Sequence, residues 1–132
     1  MAGMSLTVPA ELLEQAGSGE VDDEQFVACV RGSLPYAWSV ISGLAGQLAS
    51  SSEGFADNVV PPPDEAARGQ LLRALASDAM RGALERHFGV RLAFQNCHRV
   101  AVFGPAASEA AYSEFVSPRA QILNQRPDLV DC

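Results

Sequence analysis

A chain of 132 residues with 48% hydrophobic and 19% charged side chains can bury a core without disulfide or metal staples, and it reads as one domain, 1–132. Its net charge of −7 argues against nucleic acid, because a polyanion demands a basic face. The charge is uneven: residues 1–65 carry ten acids against Arg31 alone, residues 66–132 carry six acids against eight arginines, and lysine is absent.

In chain order, "TVPAELLEQAG" predicts a short helix with Pro9 in its first turn and Gly17 at its end. "VDDEQFVACVRGS" follows the "GSGE" hinge, with Asp22 as cap and Gln25 three residues on, a capping-box spacing. "SLPYAWSVISGLAGQLASSS" predicts a third helix, capped by Ser33 with Pro35 near its start. Between Gly32 and Ser52 no residue is charged, yet only ten of the 21 are apolar. A membrane helix needs about 20 predominantly apolar residues, so this segment reads as a buried helix and no membrane is expected. Leu34, Trp38, Ile41, Ala45 and Leu48 recur at helical spacing, and Gly43 and Gly46 notch another side. Glycine costs a helix about 1 kcal/mol relative to alanine. Two inside one helix imply a close neighbour, either another helix of this chain or another subunit.

Residues 51–63 read as a proline-rich linker, since three consecutive prolines oppose regular structure. Asp64 then caps one long helix over 64–88, ended by Gly89. Its apolar face combines the row Leu71, Leu75, Ala79, Ala83 with the row Leu72, Ala76, Met80, Leu84, Phe88. Arg73, Ser77, Arg81 and Glu85 form the opposite polar row. After Gly89 the period changes to two. "VRLAF" and "RVAVF" predict a β-hairpin joined by the four residues "QNCH". The tail predicts a helix capped near Ser108, a break at Pro118 and a last helical piece ending by Pro127.

Residues 55–103, "FADNVVPPPDEAARGQLLRALASDAMRGALERHFGVRLAFQNCHRVAVF", with "SLPYAW" before and "LNQRP" after, resemble a group of short Streptomyces-type proteins of unassigned function. The resemblance spans nearly the whole chain. It implies an actinobacterial cytoplasmic protein, in keeping with the lysine-free composition, and transfers no activity or site residue.

The residues of the hairpin turn could support three chemistries. A thiol nucleophile needs a base in reach and a third group orienting it. Cys97 and His98 point to opposite faces if the strand continues through them, and His87 is the nearer candidate base. A metal needs three or four convergent ligands; Cys97, His98, His87 and Cys132 are the only set, none closely paired, and neither metal nor cofactor is expected. An anion could be gripped by Arg81, Arg86, Arg91, His98 and Arg99, against Glu85 alone, unless Arg81 pairs with Glu85 and the rest are solvated. No phosphate loop accompanies them. With no basic start or long apolar run over Met1 to Gln15, the thiols are expected reduced in the cytoplasm.

The chain therefore reads as mainly α, about five helical segments with one β-hairpin, or alternatively α+β. The function expected is that of a non-enzymatic accessory protein binding a protein partner or itself. Its interaction face would be Trp38, Ile41, Gly43, Gly46 and Leu48, or the hairpin edge. The alternative is a small anionic-ligand-binding protein or enzyme using the 91–99 hairpin turn, with Arg91, Asn96, Cys97, His98 and Arg99 as its candidate residues.

Overall fold

A computed structural model describes residues 5–125. The described chain contains α1 (Ala10–Ser18), α2 (Asp23–Ser33), α3 (Pro35–Gln47), a 3-10 turn (Leu48–Ser50) and β1 (Phe55–Asp57). Then come α4 (Glu65–Ala76), α5 (Asp78–Phe88), β2 (Arg91–Gln95), β3 (Arg99–Phe103), α6 (Glu109–Phe115) and α7 (Pro118–Leu123). It is mainly helical with a small antiparallel sheet, and it has seven α-helices where about five were expected.

Most helices begin where a short polar side chain accepts one of the first free amides. Asp22 accepts from the Gln25 amide and Asp64 from that of Ala67. Ser108 and Ser117 do the same for α6 and α7. Helix α3 differs. Ser33, its expected cap, ends α2 instead, and its hydroxyl accepts the Thr7 amide at 2.7 Å. The start of α3 is capped from α4, where Gln70 Oε1 accepts the amides of Tyr36 (2.7 Å) and Ala37 (3.2 Å).

The single helix expected over 64–88 is two helices. Ser77 adopts an extended backbone (φ −89°, ψ 118°) and its hydroxyl accepts the Met80 amide. Arg81 completes the joint by donating from Nη1 to the Leu75 carbonyl at 3.0 Å. The break at Ser77 means that the two apolar rows read from the sequence are not continuous. Leu71, Leu75, Met80, Ala83 and Leu84 are buried, while Leu72 is half exposed.

The sheet has the order β1-β3-β2, so β3 is central and the expected hairpin gains a third strand. That strand comes from the segment read as linker: the prolines begin only at Pro61, leaving Phe55–Asp57 free to pair with Ala101–Phe103. Asn58 prolongs the pairing with its side chain, accepting the Val100 amide and donating to the His98 carbonyl, both at 2.8 Å. A two-stranded hairpin is marginal alone; the third strand removes that weakness.

Strand alternation sends side chains to two cores. Leu92, Val100 and Val102 join Val30, Leu34, Ile41, Leu71 and Leu84 in the main core from α2 to α5. Full burial of one such side chain is worth about 1.5–3 kcal/mol. Ala93, Ala101 and Phe103 face the other way, against Phe55, Tyr112 and Phe115. Helices thus cover both faces of the sheet. Among the described residues no helix is long and apolar enough to cross a membrane.

Candidate functional site

The hairpin turn is tighter than expected. Gln95 pairs with Arg99, so three residues rather than four connect the strands. Asn96 (φ 54°) and Cys97 (φ 46°) both adopt the left-handed backbone. Asparagine accepts that region readily, whereas cysteine does so at a cost. Because these residues form the turn, strand alternation does not govern how Cys97 and His98 point. His98 is buried, and its Nδ1 donates to the Asn96 carbonyl.

Cys97 is disulfide-bonded, which corrects the expectation of reduced thiols throughout. In this oxidised form it offers no thiolate. Cys29 is a free, buried thiol whose Sγ donates to the Thr7 carbonyl; Cys132 lies outside the described residues. His87 packs on Trp38 and Phe88, with ring centroids 5.6 and 4.8 Å away. No group of three or more His, Cys, Asp or Glu suited to a metal occurs among the described residues.

The arginines of the 81–99 segment are each engaged by a different carboxylate. Arg81 binds Asp78, not Glu85 as the sequence spacing suggested, and Arg86 binds Asp23. Arg91 binds Glu109 while its guanidinium lies 3.5 Å over the Tyr112 ring. Arg99 binds Asp57 at 2.5 Å and donates to Asn124 Oδ1 at 2.8 Å, tying β3 to β1 and α7. Arg91 and Arg99 do not frame the turn together. They stand at opposite ends of the hairpin, since Arg91 is level with Phe103 and Arg99 with Gln95. Asn96 is joined to α7 by its bonds with Gln121.

Charge pairing lowers the Asp23 carboxyl below its ordinary 3.8, chiefly through the hydrogen bond from Arg86. The Arg91 guanidinium is raised above its ordinary value, first by its bond to Glu109.

The helix residues singled out by the sequence divide between core and surface. Ile41 is fully buried; Trp38 and Leu48 are half-buried against the core, with Arg31 over the indole at 5.2 Å. Gly43 and Gly46 are exposed, and a Cβ on either would meet nothing within 4 Å. The close neighbour predicted for them is therefore not a part of this described fold.

Strand β2 is an edge of the sheet. A groove of about 430 Å³ runs beside it, walled by Leu75, Arg81 and Glu85 on one side and by Tyr112 and Val116 on the other. Glu85 Oε2 accepts the Leu92 amide across this groove at 2.8 Å. Neither Glu85 nor α6 was singled out as part of a site. The readable signal was Glu85 as the one acid between residues 81 and 99. A second cleft, about 320 Å³, lies between Asn58–Pro61, His98–Arg99 and Leu123–Gln125. Its guanidinium, Arg99, is already held by Asp57 and Asn124.

Residues 4–132 match the model of a family described as the NucS shadow ORF, labelled with the prefix KH, and the chain belongs to that family. No curated protein and no solved structure matches the chain.

Proposed function

We propose that the protein is a non-enzymatic binding module that recruits a protein partner through the outer edge of β2. One observation carries this reading: a strand edge left open beside a groove, with helices walling both sides. Unpaired strand edges recruit further strands because their amides and carbonyls lack partners in the sheet. The turn and its arginines favour structure over chemistry, because each guanidinium there already has a carboxylate.

The prefix KH suggests a second reading, nucleic-acid binding, because KH modules clamp a nucleic-acid backbone with a GxxG loop. The order β1-α4-α5-β2-β3-α6 favours it as an architecture. The only GxxG in this sequence, however, is Gly43 to Gly46, which lies inside α3, and α4 and α5 are joined by Ser77 alone. With a net charge of −7 as well, protein is the better ligand.

The word "shadow" marks a reading frame by its position over another, not by what its product does. The first measurement is of the protein's production in the cell. Arginine-ended peptides from residues 5–125, found by mass spectrometry in cells of the expected actinobacterial type, would supply it. Light scattering on the purified chain, alone and with captured cell proteins, then tests the binding reading. A chain that stays monomeric and gains no partner would remove it. The cytoplasmic site of action is proposed from the sequence, and capture from fractionated cells checks it.

A further inference from the structure

We infer that the outer edge of β2 takes an extended, basic peptide segment of a partner protein, and that Glu85 caps the Leu92 amide of this edge until the segment arrives. The inference rests on the protein-binding reading above and specifies the partner's chemistry.

The pairing pattern fixes which backbone groups are open. The Asn58 amide donates to the Val100 carbonyl (3.2 Å) and the Gly104 amide to the Gly54 carbonyl (2.8 Å), so residues 100, 102 and 104 of the central strand face β1. By alternation residues 99, 101 and 103 face β2 and pair with Gln95, Ala93 and Arg91. The amides and carbonyls of Leu92 and Phe94 therefore point away from the sheet. Two residues spaced in this way offer an incoming strand two donors and two acceptors. A helix cannot use them, because its own amides and carbonyls are already paired.

One of the four groups is occupied from within the chain, since Glu85 accepts the Leu92 amide. A strand that pairs with Leu92 must displace that carboxylate. Displaced Glu85 is then free to pair with a cation on the incoming segment. Arg81, the other charged group lining the groove, already donates to Asp78 and to the Leu75 carbonyl. A lysine or arginine on the incoming segment matches the displaced Glu85 carboxylate, the one acidic group lining the groove. Tyr112 and the half-exposed Val116 provide apolar contact on the opposite wall. The other edge of the sheet suits this less well: β1 has three residues, and the Phe55 carbonyl accepts from the Ser51 hydroxyl at 2.9 Å.

The test selects ten-residue linear peptides from a random displayed library on the full-length chain. Enriched sequences are then titrated with a fluorescent label, with backbone amide resonances followed. The inference predicts peptides that place Lys or Arg among alternating apolar residues and that slow hydrogen exchange at Leu92 and Phe94. Glu85→Gln keeps an acceptor for the Leu92 amide but removes the charge, and should weaken basic peptides by about fivefold. Phe94→Pro removes an outward amide, a substitution that strand edges tolerate, and should abolish binding, whereas Phe94→Ala should retain it. If Phe94→Pro does not fold, the amide exchange and the Glu85→Gln titration decide.

Four results would overturn the inference: no enrichment, enriched peptides without basic residues, unchanged exchange at Leu92 and Phe94, or basic-peptide affinity unaltered by Glu85→Gln. Protection of the same amides by a second copy of the chain, or by a ten-nucleotide single strand, would reassign the edge and overturn it too. A protein partner whose binding ignores Phe94→Pro would leave the binding-module reading standing while removing this one.

Discussion

Three glycines separate what the backbone needs from what it tolerates. Gly54 has φ 78°, and a Cβ there would lie 2.7 Å from the Ala107 amide nitrogen. Its carbonyl accepts the Gly104 amide, so the residue seats β1 against the loop after β3. Gly54→Ala should destabilise the fold by about 2–4 kcal/mol, combining backbone strain with a clash against main chain that has little room to move. Gly43 and Gly46 are the reverse case, helical and open. Gly43→Ala and Gly46→Ala should each stabilise by up to about 1 kcal/mol. Thermal melts of the three variants check both directions, and destabilisation by either α3 substitution would show that the packing there is misread. The sequence marked the α3 pair as costly but could not show that nothing inside the fold approaches them. It gave no sign that Gly54 was the indispensable one, because a positive φ is set by the chain's return to β3.

The same limit appears in whole elements. Caps at Asp22, Asp64 and Ser108 were readable, as was the change of period at Gly89, because a cap or a strand pattern is local. The joint at Ser77 was missed because its neighbours are good helix formers and keep the helical period across it. The decision comes from tertiary packing and from Arg81 closing the end of α4. Ser77→Ala tests this: it should cost about 1 kcal/mol by removing the α5 cap, whereas a continuous helix would gain from alanine. β1 was hidden for a similar reason, since three residues pair only because β3 offers an open side. Helices α2 and α5 are also joined by Asp23 and Arg86 across 63 positions of sequence. The Asp23 carboxyl titrates below its ordinary 3.8 when folded, so its stabilising contribution is present above that pH. It is lost as the pH falls through the lower folded value. Stability below about pH 4 should therefore fall less steeply in Asp23→Asn than in the parent chain, with both followed by circular dichroism. Equal acid slopes would show that the pair does not link folding to pH.

At the scale of the molecule, the mainly helical class, the hairpin and the prospect of a free hairpin edge were legible, while which edge stays open, and beside which side chains, was not. The conspicuous "QNCHR" cluster is occupied with structure: a disulfide at Cys97, a buried His98 and an Arg99 held by two partners. The open edge of β2 has no composition signal, since it consists of backbone groups whose direction follows from pairing on the other side of the strand. A polar turn draws attention in a sequence, but a vacancy in a hydrogen-bond ladder appears only once the strands are placed. We propose that this vacancy recruits a protein. The most direct test is affinity capture from the native cell with the parent chain, Phe94→Ala and Phe94→Pro, once all three are shown to fold. A partner should be retained by the parent and by Phe94→Ala and lost with Phe94→Pro. Equal capture by all three, or capture by none, would contradict it.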